Sequence, residues 1–347
     1  MHGNAILNKM RLHALIALTL IHSIQIIHTE SCYATNPDPY RRVGQKTSYF
    51  VNNNLDDSEV EVAGCEPRML WYLSRHGARK PSDSEIEEFG EKMPGLQERI
   101  VTAGVLGEAD MCEEDILNLA AFSLNLTAAD HKILYESGKQ ENRELGARWR
   151  RRLPALLGDP ALTQTRATYK QRTYASAEAF LEGAYPGQSV TFPHIMVTDI
   201  MLRFHDFCPA YFCGVDQNPG NRTFGEMYEF MASPEYAAME ADVARRAGVR
   251  LAAEEVSLAW ALCRYDLAEF PDTAAHVSPW CALFSEENLK ILEFTDDLMF
   301  FYKDGYGFDI NWKMTKPLVS EMEQRFLEMR YTCYFVTARL KGSKCHL

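Results

Sequence analysis

The apolar positions of this chain change period several times, and each change suggests an element. The first apolar block, Leu12 to Ile27, is broken by His13, His22, Ser23 and Gln25 and follows the basic Lys9 and Arg11. With small residues at Thr29, Ser31 and Ala34, it reads as a secretory signal over residues 1–31, cleaved rather than retained as a span. Residues 32–67 are polar and turn-rich (Asn36-Pro37-Asp38-Pro39, Asn52-Asn53-Asn54) and read as an extended arm. The run Met69-Leu70-Trp71-Tyr72-Leu73 predicts a buried strand over 68–74, and Ala167 to Thr173 predicts a second. The acidic segment Asp83 to Glu91 opens a helical stretch with a solvated face. Residues 134–153 carry Leu134, Leu145, Trp149 and Leu153 at helical spacing until Pro154, and Ser176 to Gly183 begins another helix. Residues 200–300 are helical in period and rich in Ala, Glu, Met and Leu. Their clusters Met227-Tyr228-Phe230-Met231 and Leu258-Trp260-Leu262 read as core. The pattern predicts an α/β domain (68–199) interrupted by a mainly helical insertion (200–300), with a return to the α/β domain over 301–347.

Composition narrows the partners. The 347 residues carry a formal net charge of −12 and a pI of about 5.4. That argues against a broad basic surface for nucleic acid, so an anionic ligand must be met locally in a cleft. Beyond the leader, no stretch is long and apolar enough to span a bilayer, so no stable membrane span is expected after cleavage. Nine cysteines without a Cys-x-x-Cys pair suit an oxidising compartment rather than a zinc or redox motif. Cys208 and Cys213 are close enough in sequence for a local bridge, and Cys263 with Cys281 could staple a helical segment, although sequence does not define the connectivity. Sequons at Asn125-Leu126-Thr127 and Asn221-Arg222-Thr223 agree with secretory entry. The basic run Arg148, Arg150, Arg151 and Arg152 reads as a solvated helix end, where cations suit the dipole.

The densest chemistry is Arg75-His76-Gly77-Ala78-Arg79-Lys80-Pro81, directly after the first predicted strand. Arginine forks match phosphate oxygens bidentately, and a neutral imidazole nitrogen can attack phosphorus and form a phosphohistidine. Gly77, without a Cβ, lets backbone approach closely. Arg172 falls where the second predicted strand meets the next helix, able to face the same cleft.

These residues resemble the histidine acid phosphatases, and most closely the branch called multiple inositol polyphosphate phosphatases. The resemblance runs from residue 44 to 318 through five segments: Gly44-Gln45-Lys46-Thr47-Ser48-Tyr49; Leu73 to Arg79; Gln171 to Gly183; Leu202-Arg203-Phe204-His205-Asp206-Phe207-Cys208; and Tyr302 to Asn311. It implies a mixed sheet flanked by helices with a helical domain over the cleft. It also implies that His76 is the nucleophile and that Arg75, Arg79 and Arg172 hold the phosphoryl oxygens, with no metal or organic cofactor. The implied partner is a small polyanionic phosphate ester, phytate-like, with 2,3-bisphosphoglycerate as a further candidate.

The family's leaving-group acid follows a second histidine in a C-terminal His-Ala-Glu or His-Asp motif, and no such motif occurs here. The only His-Asp pair, His205-Asp206, lies in another segment, where His205 reads as structural. His194 and His276 have no neighbouring acid, and His346 is followed only by Leu347. The chain thus reads as truncated, its C-terminal part incomplete and its general acid unassigned. Three readings follow: a secretory-pathway inositol polyphosphate phosphatase, a phosphate-binding homologue impaired in catalysis, and a cytosolic phosphoglycerate mutase relative. The leader, cysteines and sequons disfavour the third.

Overall fold

The computed structural model describes residues 43–52, 57–190, 199–217, 222–271 and 278–339, with side chains described up to residue 330. The predicted leader, the start of the arm, Asn221, His194, His276 and His346 lie outside the described residues. Helices dominate: α1 Asp83–Val105, α2 Glu113–Ala121, α3 Glu136–Arg152, α4 Gln171–Ala184, α5 Arg222–Met231, α6 Pro234–Ala247, α7 Ala253–Glu269, α8 Glu286–Lys303 and α9 Lys316–Arg339.

α1 shows how sequence sets such an element. The Glu85 N–H donates to Ser82 Oγ (3.3 Å) while the Ser82 N–H donates to Glu85 Oε2 (2.8 Å), a reciprocal cap. Ile86, Phe89, Met93, Leu96 and Ile100 then fall on one buried stripe. The acidic segment is therefore a solvated face only in part. That stripe joins one core with Tyr236, Met239 and Val243 of α6, Val256 and Cys263 of α7, Trp280 of the 3-10 turn Pro279–Leu283, and Leu289 of α8. Cys263 and Cys281 are bridged within it, whereas Cys208 and Cys213 are free thiols. The expected local bridge is absent: Cys208 is in extended backbone before the short helix Pro209–Tyr211, while Cys213 lies within the π-helix Phe212–Asp216.

The expected mixed α/β sheet is overturned. Among the described residues there is no strand ladder, only an isolated antiparallel bridge between Arg79 and Leu134. Residues 65–77 run without turn or bend, yet no described segment pairs with them as a strand. They lie on helices instead. Tyr72 stacks on Phe180 of α4 at 5.1 Å and meets Trp149 of α3 edge-on, and Leu70 packs on the same small cluster. Leu73 remains 53% exposed, which a central strand would not allow. An apolar run has the same pattern whether it pairs in a sheet or drapes over helices. The second predicted strand also fails, since residues 163–168 are irregular and α4 begins at Gln171. There Thr173 Oγ1–H donates to the Lys170 carbonyl (2.8 Å), closing the first turn.

α3 and α4 form the most intimate pair. A Cβ on Gly146 would lie 1.9 Å from Phe180 O, and one on Gly183 would lie 1.8 Å from Arg143 O. Only glycine permits this backbone-to-backbone approach. The buried face of α3 is Gly138, Glu141, Asn142 and Gly146, small and polar rather than apolar. The basic run at its end is engaged. Arg148 pairs with Asp57 and donates to Tyr49 Oη, Arg150 donates to the Leu157 and Ala184 carbonyls, and Arg151 pairs with Asp57.

Candidate active site

The segment Arg75 to Pro81 lies against the N-terminal half of α3 and the first turns of α4. Backbone bonds fix its far end: Tyr135 N–H to Ala78 O (2.9 Å), Lys80 N–H to Ile133 O (2.8 Å) and Lys132 N–H to Pro81 O (2.7 Å). The Gly77 N–H donates to Ser176 Oγ (3.0 Å), and Ser176 Oγ–H donates to the Arg172 carbonyl (2.7 Å). One buried serine of α4 therefore ties the loop to the turn that presents Arg172. A Cβ on Gly77 would meet Gly138 O at 2.4 Å, so the loop rests on α3 with no space for a larger residue.

His76 is defined by a single bond. Its Nδ1 is 2.9 Å from the Gly77 carbonyl, which can only accept, so Nδ1 carries the proton and Nε2 is left as a bare lone pair. Burial first, then the neighbouring Arg75, Arg172 and Arg79 guanidiniums, push its pKa down to about 4, against the raising effect of that hydrogen bond. The imidazole is neutral over the mildly acidic and neutral range.

The arginines converge on it. Arg75 Nη1 donates to Gln45 Oε1 (3.2 Å) and Arg79 Nη1 to the Lys80 carbonyl (2.7 Å). Arg172 Nε has no partner. No ion pair joins any of the three to a carboxylate among the described residues. Burial followed by mutual repulsion lowers the guanidinium pKa of Arg75 and of Arg172, which records how closely these cations are held together. Three guanidinium forks that form no ion pair with a carboxylate among the described residues, beside a bare imidazole nitrogen, can receive a tetrahedral oxyanion.

Two nearby groups were not singled out from sequence. Lys46, in the turn Gly44–Lys46, lies over the Tyr265 ring at 4.6 Å; burial, Arg264 and Arg79 lower its pKa to about 7, against Glu85 and Asp296. Asp304, at the end of α8, has its carboxyl pushed upward by burial while interacting with Arg75 and His205. Asp206, by contrast, is clasped by the Arg203 fork (2.5 and 2.6 Å), with His205 Nε2 3.5 Å from its other oxygen. Ser176 is the most legible of the missed residues, one helical turn after Arg172. Asn125 is exposed beyond α2.

The family model of the histidine phosphatase superfamily (branch 2) matches residues 68–329, a span that includes this loop, and the chain belongs to that family. Among its relatives are proteins called multiple inositol polyphosphate phosphatase 1. The Drosophila melanogaster protein is 29% identical over 325 residues, covering 89% of this chain and 68% of that protein. The Homo sapiens protein is 28% identical over 340 residues, covering 90% and 68%. The Gallus gallus protein is 29% identical over 272 residues, covering 76% and 56%, so the chain spans 56% to 68% of the length of these relatives. Phytase A of Aspergillus awamori is more distant, 24% identical over 277 residues.

Proposed function

We propose that this chain is a phosphomonoester hydrolase acting on inositol polyphosphates through a phosphohistidine at His76, in the secretory pathway. The observation that carries the reading is the neutral, Nδ1-protonated His76 beside three arginines that form no ion pair with a carboxylate among the described residues. The Nε2 lone pair attacks phosphorus, the ester P–O bond breaks and the leaving alkoxide takes a proton. Water then cleaves the P–N bond, releasing phosphate and neutral imidazole. Arg75, Arg79 and Arg172 stabilise the charge on the equatorial oxygens. The names of the relatives support inositol polyphosphates as the substrate class. The Cys263–Cys281 bridge, the exposed Asn125 sequon and the N-terminal sequence support an oxidising, lumenal compartment. No described helix is long and apolar enough to cross a membrane.

Acid quench with labelled inositol hexakisphosphate should trap an acid-labile phosphohistidine that His76→Ala abolishes. Arg172→Ala should weaken inorganic phosphate binding about ten- to a hundredfold, the loss of one charged hydrogen bond. Label that survives His76→Ala rules out the nucleophile. Phosphate binding that depends on Arg172 without any trapped label would instead identify a phosphate-binding homologue.

A further inference from the structure

We infer that Glu141 is a positioning residue whose carboxylate straps the N-terminal arm to the His76 loop and so sets the geometry of the phosphate site. The inference rests on the reading of that site given above. Glu141 sits in the middle of α3 and is only 7% exposed. Its Oε1 accepts from Ser48 Oγ (2.9 Å) and from the Tyr49 N–H (3.0 Å). Its Oε2 accepts from the Ala78 N–H (3.3 Å). The three donors belong to two segments distant in sequence, neither of them on α3. No lysine or arginine pairs with this carboxylate among the described residues.

A buried carboxylate satisfied only by neutral donors is costly compared with an apolar side chain of the same size. What it provides, and packing does not, is a fixed relation between two chain segments. The arm it holds has a second anchor, where the Gly44 N–H donates to Glu293 Oε1 of α8 (3.0 Å). Between those anchors lies Gln45, whose Oε1 receives Arg75 Nη1 (3.2 Å). Through one oxygen Glu141 therefore holds the arm that orients the Arg75 guanidinium. Through the other it holds the Ala78 amide, two residues from His76.

Glu141→Gln keeps the size of the side chain but replaces one acceptor with a donor. Whichever way the amide is turned, its NH2 faces either the Ala78 N–H or the Tyr49 N–H, so one segment is released. The variant should keep a cooperative unfolding transition. It should lose on the order of ten- to a hundredfold in phosphoenzyme formation from p-nitrophenyl phosphate. Vanadate affinity should fall more than phosphate affinity, because the five-coordinate ligand demands the correct loop geometry. Amide exchange across residues 77–79 should accelerate. Gln45→Ala should cost less in the Glu141→Gln background than in the wild type, because the arm is already loosened.

Unchanged vanadate affinity together with unchanged exchange over residues 77–79 would overturn the inference. So would lost activity with fully additive effects of the two substitutions, the signature of a merely structural strut. If Glu141→Gln does not fold, Ser48→Ala, which removes one donor on the arm side alone, should weaken vanadate binding in the same direction; unaltered binding would count against the strap. Should the wild type trap no phosphoenzyme, the functional reading fails, while the anion affinities and amide exchange still decide the role of Glu141.

Discussion

At the scale of single residues, the environment of His76 makes a prediction about pH. A histidine ordinarily gains its proton near pH 6.5, but burial and three guanidiniums lower this one to about 4. A lowered pKa extends the neutral, nucleophilic form to lower pH. The acid limb of kcat/KM, which reports the free enzyme, should therefore fall near pH 4 rather than near 6.5. A limb at 6.5 that disappears in no other variant would show that the imidazole is solvated. The leaving-group acid is a second residue-scale question. Asp206, in the only His-Asp pair, is clasped by Arg203, whereas the Asp304 carboxyl is raised by burial and interacts with Arg75. A raised carboxyl holds its proton at higher pH, as a donor must. Asp304→Asn should reduce turnover of inositol hexakisphosphate about 10²- to 10⁴-fold while largely sparing p-nitrophenyl phosphate, whose leaving group needs little protonation. Equal losses on both substrates would remove Asp304 from that role.

At the scale of elements, two glycines decide how α3 and α4 meet, and that contact carries both Ser176 and Arg172. Alanine normally stabilises a helix interior by about 1 kcal/mol over glycine. At Gly183 the added Cβ would lie 1.8 Å from Arg143 O, so the helices must part, and overpacking costs about 1–3 kcal/mol. Clash outweighs propensity: Gly183→Ala should lower the denaturant midpoint and weaken phosphate binding. Gly95 of α1 has nothing within 4 Å, so Gly95→Ala should show the propensity gain alone and raise the midpoint. Midpoints that move in the same direction for both variants would refute the close-contact argument. The elements were unevenly legible for a related reason. α1, with its reciprocal cap, and α3 and much of 200–300, by period, follow from local signals. The run 68–74 was read as a strand because apolar alternation does not report whether a partner strand is present. Glu141 and Asn142, the polar face of α3, gave no signal at all, because their partners lie on other segments.

At the scale of the whole molecule, the core joins α1 to α6, α7 and α8, and the Cys263–Cys281 bridge closes a loop of sequence separation 18 inside it. Closing a loop of that size typically stabilises by about 3 kcal/mol, chiefly by restricting the unfolded chain. The double variant Cys263→Ser/Cys281→Ser should lose about 2–4 kcal/mol in denaturant unfolding, and reductant should bring the wild type to the same stability. An unaltered midpoint in both experiments would mean the bridge is not formed in solution. The sequence by itself determined the family and the candidate site: a histidine flanked by arginines can be recognised from order along the chain, because it is a property of neighbours. It also determined the helices with strong period and capping, for the same local reason. Only the tertiary structure decided that Nδ1 of His76 is the protonated nitrogen, that Arg172 begins a helix, and that the apolar run before the motif lies on helices rather than in a sheet. It likewise decided that a carboxylate on α3 joins the arm to the loop. Each of these depends on which distant groups come within hydrogen-bonding or packing distance, and that is set by the packed chain rather than by the order of its residues.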